Sequence, residues 1–474
     1  MLGLFGTLNL AARSLQTQMT GVEVTGQNLA NVNTTGYSRQ RVQIATSPDM
    51  ATSIGPEGTG ANAVDIQQIV SNLLNNQIQS QGSTSGYWNA QQTALQSAQN
   101  GLNEFLNGSG ATASTSTTSS TTTDTGLSGQ LTSLFNAFSS LAAAPSMSTQ
   151  QAVVGAAQQV ATSFNQISTQ LGNVKTSLNA SLTANVNSAN TLLTDIASLN
   201  QQITVAQFSG GNANDLTDQR EQDLENLSQL TSITTSTGTN GAVNVNIGGN
   251  QFVSGNSVSD TLQTYDPGNG SLLVQTSVGS VPVTLTGGSM QGTIDARDGT
   301  LATMQSHIDS LAANLIGAVD AIHNGGYNSA GGTGTNFFIG SSAATISVNA
   351  ALVNNPALIQ ISSSATATGD SSLALQMSQL ATTTQTGLNN QTFGDYYGTT
   401  VAGLGGALAS ANTQVTDQTA VTNMLQTQRG SISGVNTDEE MTNLMSFQRA
   451  YEASAQLVTT INTLMGDTLA MKTS

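Results

Sequence analysis

The chain has 474 residues, of which 37% are hydrophobic, 4% aromatic and only 7% charged, and its formal net charge is −17. This acidic, weakly charged composition excludes nucleic acid as a partner and gives no basic face for an anionic membrane, because both need clustered Lys and Arg. No apolar run of about 18 residues predicts membrane insertion, and the chain has no cysteine, which excludes disulfides and thiolate metal ligands. The expected partners are therefore proteins.

The two ends of the chain are predicted to be amphipathic helices that pair with each other. Apolar side chains recur every three or four positions in both segments. They are Phe5, Leu8, Ala12, Leu15, Met19, Val22 and Leu29 near the start, and Leu444, Phe447, Tyr451, Ala455, Val458, Ile461, Met465 and Leu469 near the end. Thr437 and Glu440 have the spacing of a capping box at the start of the last helix. Such helices are only marginally stable alone in water, so each needs a partner. The alternative to mutual pairing is that each helix packs on its own neighbouring domain.

Further helical patterns fill most of the first half of the chain. Residues 68–106 and 148–206 are predicted helices, and the second has heptad spacing from Val153 to Leu178 with a slip in phase near Leu182. The slip leaves open either one continuous helix, roughly 85 Å long, or a bend. Residues 111–125 are almost entirely Ser and Thr. They predict a flexible surface loop, because they cannot bury enough apolar surface to become ordered.

The middle of the chain changes from helical to strand periodicity. Alternating apolar residues at 243–247 and 281–285, separated by Gly- and Asn-rich turns, predict a small β-rich outer domain. The fold class is therefore mainly α with a β insert. The predicted parts are paired terminal helices (1–45 and 434–474), a discontinuous helical body (46–230, 296–324 and 400–433), the β-rich domain (231–295) and an irregular or weakly β segment with a short helix (325–399).

No catalytic, cofactor-binding or metal-binding residues are predicted, so we do not expect an enzyme or a cofactor. His307 and His323 lie far apart on one predicted helix and are interpreted as surface or loop residues. The glycine-rich run 325–338 lacks the Lys-Ser/Thr of a phosphate loop. Asp438, Glu439 and Glu440 begin the last helix and offset its dipole, while the acidic cluster within 215–225 is interpreted as a solvated helix face.

Two segments resemble the signatures of the flagellar rod, hook and hook-associated proteins. The segment GQNLANVNTTGYSRQRV, residues 26–42, is similar to the N-terminal signature, and GVNTDEEMTNLMSFQRAYEASAQLVTTINTLMGDTL, residues 434–469, is similar to the C-terminal one. A weaker similarity covers residues 292–338. The SRQR continuation at 38–41 looks most like the hook-associated proteins of the hook–filament junction. A rod or hook component, or an adhesin-like surface protein, remains an alternative.

The resemblance implies a structural subunit whose paired terminal helices line the channel of a tubular assembly. It also implies an extracellular location in the flagellum, export by the flagellar secretion system without a cleaved signal, and four partners: the hook protein, the second junction protein, copies of the chain in a ring, and an export chaperone. Arg39 and Arg41 are expected to bind acidic groups on a neighbour. The predicted subunit-interface residues are Phe5, Leu8, Leu15, Met19, Val22, Asn28, Asn31, Asn33, Gly36, Tyr37, Arg39, Arg41, Leu444, Phe447, Tyr451, Val458, Ile461 and Met465.

Overall fold

Helices dominate the computed structural model, which describes residues 3–52, 55–106, 126–367 and 369–473. The loop predicted at 111–125 lies outside these residues. The helices are α1 (Leu4–Ala30), α2 (Asn72–Leu106), α3 (Leu127–Ala143), α4 (Met147–Phe208), α5 (Asn214–Leu230), α6 (Gly288–Asp295), α7 (Ala302–His323), α8 (Ala350–Asn354), α9 (Ser372–Gln379), α10 (Phe393–Ser433) and α11 (Thr437–Thr473). A π-helical turn, Ala296–Leu301, joins α6 to α7.

The described strands form small antiparallel sheets. They are β1 (Gln40–Thr46), β2 (Met50–Thr52), β3 (Gly55–Glu57), β4 (Ala61–Gln68), β5 (Ile233–Thr237), β6 (Val243–Ile247), β7 (Asn250–Ser254), β8 (Ser257–Val258), β9 (Leu262–Tyr265), β10 (Leu273–Thr276), β11 (Phe338–Ile339) and β12 (Ser347–Val348). Strands β5 to β8 form a four-stranded sheet in chain order, and the other pairs are β1–β4, β2–β3, β9–β10 and β11–β12.

One hairpin lies where the sequence predicted part of the helical body. Strand β1 pairs with β4 from Gln40 opposite Gln68 to Thr46 opposite Ala61, and β2 and β3 pair beyond that end of the ribbon. The assignment of residues 46–68 to helix is therefore wrong. These strands are built largely from small and polar residues, so they lack the strong two-residue alternation of apolar side chains that reveals a half-buried strand.

Helix α4 is continuous over 62 residues, about 93 Å at 1.5 Å per residue. The phase slip near Leu182 does not break it; the slip marks a change of packing partner. Its buried residues from Val153 to Leu178 belong to a core shared with α3, α7, α9 and α10, whereas those from Leu182 to Ala197 share a core with α5 and the β-rich strands. Both cores lie on the same side of the helix, because Val153, Leu178, Leu182 and Ile196 fall within about 40° of one another at 100° per residue.

Asparagine side chains dock the outer strands and loops on α4. Asn190 Nδ2 donates to the Leu262 carbonyl at 2.8 Å, and its Oδ1 accepts from the Leu262 N–H at 2.8 Å. Asn200 binds the Val243 backbone in the same two-way manner, and Asn165 Nδ2 donates to the Ala343 carbonyl at 2.7 Å. A primary amide copies the donor and acceptor of a peptide group, so these neutral side chains hold backbone segments on α4 without using an ion pair.

His323 is fully buried, so its interpretation as a surface or loop residue is wrong. Its Nε2 accepts from the Gln360 N–H at 3.1 Å, which leaves Nδ1 to donate to the Thr335 carbonyl at 2.7 Å. Burial lowers the pKa of His323 from 6.5 to about 4. His307 is half-buried and lies against Tyr396, with ring centroids 5.4 Å apart.

We expect acid to weaken this region before pH 4. Between pH 6.5 and about 4 the unfolded chain binds a proton at His323 and the native chain does not, so the free energy of unfolding falls as pH decreases through this window. The loss is up to about 3 kcal/mol. Urea unfolding of the body at several pH values measures the slope. His323→Gln should flatten it, and an unchanged slope in His323→Gln would contradict the assignment.

Candidate subunit interface

The terminal helices α1 and α11 pair with each other, as predicted, and they run antiparallel. Ser14 Oγ lies 2.8 Å from Ser454 Oγ, Gly21 faces the ring of Phe447, and Asn28 Nδ2 donates to Glu440 Oε2 at 3.0 Å. Each step between these contacts is seven residues in both helices. The register is therefore that of an antiparallel coiled coil with one heptad between layers.

Gly21 sets the closest approach of the two helices. A Cβ atom built on Gly21 would lie 2.6 Å from Phe447 Cδ1, far inside van der Waals contact. The α11 stripe lies toward this seam: Ile461 is buried, Leu444, Phe447, Val458 and Met465 are half-buried, and Tyr451 is exposed. Predicted interface residues of α11 thus stabilise the helix pair inside one chain.

The apolar stripe of α1 does not face α11, which corrects the expectation that the two stripes cover each other. At about 100° per residue, Leu8, Leu15 and Met19 lie roughly 120–160° around the helix from Gly21. Phe5 is 71% exposed and Met19 54% exposed, while Leu8, Leu15 and Val22 are half-buried. We call Phe5, Leu8, Ala12, Leu15, Met19 and Val22 the outer stripe.

The β1–β4 hairpin packs on α1 next to α11. Thr17 Oγ1 donates to the Ala61 carbonyl at 3.2 Å, and Leu10 lies against Gly60, whose φ of +103° favours glycine. Leu10 and Thr17 lie within about 40° of Gly21 at 100° per residue, so α11 and the hairpin cover neighbouring parts of one side of α1, and the outer stripe is left exposed by both.

Asn28 is buried at the base of the helix pair with all of its hydrogen-bonding groups satisfied. Its Nδ2 donates to the Gln40 carbonyl at 2.7 Å as well as to Glu440, and its Oδ1 accepts from Tyr37 Oη and from the Gln40 N–H, both at 2.9 Å. Burial, and then the nearby carboxylates led by Asp215, raise the pKa of Tyr37 to about 12. All of these hydrogen bonds lie within the chain itself.

Arg39 also finds its acidic partners within the chain. Its Nη1 and Nη2 donate to Glu439 at 2.8 Å each, and its Nε lies 3.4 Å from Glu440 Oε1. These partners are 400 positions away in the sequence, so no local pattern indicates them. Arg41, by contrast, is exposed on β1.

The cap of α11 differs from the predicted capping box. Asn436 Oδ1 accepts from the N–H groups of Asp438 and Glu439 at 3.0 and 3.3 Å, so Asn436 is the N-cap and Thr437 is the first helical residue. Glu440 is thereby released from capping and binds Asn28 and Arg39. The spacing in the sequence fits either Asn436 or Thr437 as the N-cap of α11. The contacts of Glu440 with Asn28 and Arg39 decide between the two.

The remaining signature residues shape the turn after α1. Asn31 Nδ2 donates back to the Gln27 carbonyl at 3.0 Å, Asn33 is exposed, and Gly36 has a φ of +82°, which a side chain would strain. Their local role is to reverse the chain into β1.

The acidic residues of α5 are fastened to other elements, so their interpretation as a solvated face is wrong. Asp215 binds Gln27 and Gln40, and Asp218 binds the Ser38 N–H. Glu221 binds Gln79, and Glu225 binds Arg429. Burial raises the pKa of Asp218 and of Glu221. The sequence could not separate this arrangement from a solvated face, because the partners lie on α1, β1, α2 and α10.

Among the described residues, no group of three or more His, Asp or Glu side chains is placed to hold a metal ion. The described helices include none that is both long and apolar enough to cross a membrane. The residues brought together are instead two long helices, a hairpin and hydrogen-bonding side chains, an arrangement suited to packing.

Two family descriptions match the chain. The "Flagellar hook-associated protein FlgK helical domain" matches residues 113–338, and the "Flagellar basal body rod FlgEFG protein C-terminal" matches residues 431–471. The second match covers the end of α10 and nearly all of α11.

Similar proteins extend over almost the whole chain. Flagellar hook-associated protein 1 of Bacillus subtilis is 28% identical, over 97% of this chain and 96% of the relative. The proteins of that name from Salmonella typhimurium and Escherichia coli are 24% and 23% identical, each over 96% of this chain and 98% of the relative. The solved structure of the flagellar hook junction protein FlgK from Burkholderia pseudomallei has the same fold, with a TM-score of 0.63 at 16% identity, over 76% of this chain and 100% of that chain. The chain belongs to the family of flagellar hook-associated proteins.

Proposed function

We propose that this protein is a structural subunit of the bacterial flagellum that joins the hook to the filament. It does so by packing into a helical tube through its terminal helix pair. The observation that carries this proposal is the outer stripe, an apolar face that remains exposed after α1 has packed on both α11 and the hairpin. An exposed apolar face of this kind marks a contact with another protein.

Burial of the outer stripe would supply the energy of assembly. Each large apolar side chain contributes about 1.5–3 kcal/mol when it passes from full exposure to burial. Phe5 and Met19 are more than half exposed, so their burial contributes most of this free energy. In a ring, every copy repeats the contact, so a modest energy per pair is multiplied around the tube.

A second exposed set of apolar residues offers a surface for the neighbour. Leu457 and Leu464 are one heptad apart on α11 and are 39% and 48% exposed. They lie about 100–120° around α11 from Val458, which is on the seam side. A contact between the outer stripe of one copy and this face of the next copy is heterologous, the type that closes into rings or helical tubes.

The proposed partners follow from this role. Copies of the chain form a ring, the hook protein lies on the cell-proximal side, and the second hook–filament junction protein lies on the distal side. We further propose export by the flagellar secretion system without a cleaved signal, with a chaperone bound to the C-terminal helix until export. No catalytic activity is proposed.

Deletion of the gene in a motile host tests the function. We expect hooks without filaments, and unpolymerised flagellin in the medium, with filaments restored by the wild-type gene on a plasmid. Normal filaments in the deletion strain would reject the junction role and favour an accessory surface protein. Loss of hooks as well as filaments would indicate an earlier rod or hook component.

A further inference from the structure

We propose that Asn28, Arg39 and Glu440, together with the carboxylates of α5, form a lock that fixes the orientation of the terminal helix pair on the helical body. We call this group the joint. Its residues then act as positioning residues and not as contacts to a neighbouring subunit. The effect on assembly rests on the proposed function, whereas the fixed orientation is a property of the single chain.

Both chain connections between the helix pair with its hairpin and the body pass through the joint. They are residues 69–71 after β4 and 434–436 between α10 and α11, and the turn at 31–39 from α1 to β1 lies beside them. The Arg39 N–H donates to the Ser433 carbonyl at 2.8 Å, and the Ile69 N–H donates to the Arg39 carbonyl at 2.9 Å. Arg39 therefore ties both connections to this turn through its backbone.

The side chains of the joint clamp α11 to the same point. Asn28 is 1% exposed and donates to the Glu440 carboxylate, and Glu440 is 2% exposed. Arg39 holds Glu439 through two parallel bonds. A bidentate Arg–carboxylate pair adds directional specificity to its energy, so α11 is fixed both in position and in angle.

Helix α5 fastens this clamp to the body. Asp215 accepts from Gln27 on α1 at 3.2 Å and from Gln40 on β1 at 2.9 Å, and Asp218 accepts from the Ser38 N–H at 2.8 Å. The opposite attachment of α5 is apolar, because Leu224 and Leu227 are buried in a core with α4 and the β-rich strands. The helix thus bonds to the terminal pair on one side and to the body on the other.

A cavity of about 530 Å³ lies beside the joint, and its lining includes the polar and charged residues Tyr37, Asp218, Arg220, Glu221 and Arg429. The side-chain contacts that carry the joint are directed hydrogen bonds and ion pairs, so under this proposal the angle between the helix pair and the body depends on these bonds. Removing one of these bonds should therefore release the angle without unfolding either part.

The test uses paired spin labels on the full chain. Because the chain contains no cysteine, the exposed positions Gln448→Cys on α11 and Gln201→Cys on α4 carry the labels alone. Electron–electron double resonance should give one narrow distance distribution in this background. Asn28→Asp keeps the side-chain size but places a carboxylate against Glu440, and we expect the distribution to widen at least twofold. Asn33→Asp, an exposed change in the same turn, should leave it narrow.

A charge swap separates the lock from a general loss of structure. In Asn28→Asp with Glu440→Gln, the new amide can donate to the new carboxylate, and we expect the distribution to narrow again. Thermal unfolding of the body should be the same in all variants. A wide distribution in the labelled parent, or an unchanged one in Asn28→Asp, would overturn the lock. If widening occurs but flagella still form normally with Asn28→Asp, the lock stands and the proposed function loses its support from this site.

Discussion

Gly21→Ala is expected to separate the terminal helices and abolish filament formation in a complemented deletion strain. The added Cβ would meet Phe447 Cδ1 at 2.6 Å, and both groups are held on helices that pack along their whole length. Overpacking of this kind costs about 1–3 kcal/mol, and here the displacement spreads along the pair in both directions. Flagella counted by electron microscopy, with the exported variant measured in the medium, give the result.

A glycine on the same helix provides the matched control for this substitution. A Cβ on Gly26 meets nothing within 4 Å, so Gly26→Ala should assemble normally and stabilise α1 by up to about 1 kcal/mol through helix propensity. Gly21→Ala combined with Phe447→Leu should recover part of the filaments, because the smaller side chain makes room for the new methyl group. Full assembly of Gly21→Ala alone would show that the helix approach in the tube differs from that in the single chain.

Met19→Asp is expected to block assembly while leaving the monomer folded. Met19 is more than half exposed on the outer stripe, and exposed substitutions usually change stability by less than about 0.5 kcal/mol. In the tube, however, the carboxylate would be buried against a neighbour without a partner, which costs several kcal/mol. Circular dichroism on the purified chain and filament counts in the complemented strain measure the two effects separately.

The control adds the same charge on a different side of α1. Arg13 is exposed and lies about 80° or more from every outer-stripe residue, so Arg13→Asp, which places the same carboxylate there, should form filaments normally. Val458→Asp should differ from both, because Val458 is half-buried on the seam side of α11 and a charge there opens the helix pair itself. Normal filaments with Met19→Asp would show that the outer stripe is not part of the interface. The exposed face of α11 would then be the remaining candidate for the contact between copies.

The same contacts explain why the predicted interface separates into two groups. Asn28, Tyr37 and Arg39 make their bonds inside the chain, so changes there should act through the angle of the helix pair. Phe5, Leu8, Leu15 and Met19 lie on the outer stripe, so changes there should act directly on contact with a neighbour. Spin-label distances respond to the first group, and filament counts respond to both.

The terminal helices, their pairing and the β insert could be predicted from the sequence by itself. Apolar side chains that recur every 3.6 residues indicate a helix, and those that recur every two residues indicate a strand. For α4 the sequence allows either a continuous helix or a bent one, because a slip in apolar phase is consistent both with a bend and with a change of packing partner.

Only the tertiary structure decided which face of α1 is covered and where the signature residues bind. Periodicity identifies an apolar face, but the small residues Ser14 and Gly21 allow the closest approach of the two helices. Helix α11 therefore packs on that side, and the larger apolar side chains of α1 remain outside the seam. Arg39 meets Glu439 across 400 positions, and the acids of α5 meet four different elements. Hydrogen bonds and ion pairs between distant segments depend on how the fold brings those segments together, which no local sequence pattern encodes.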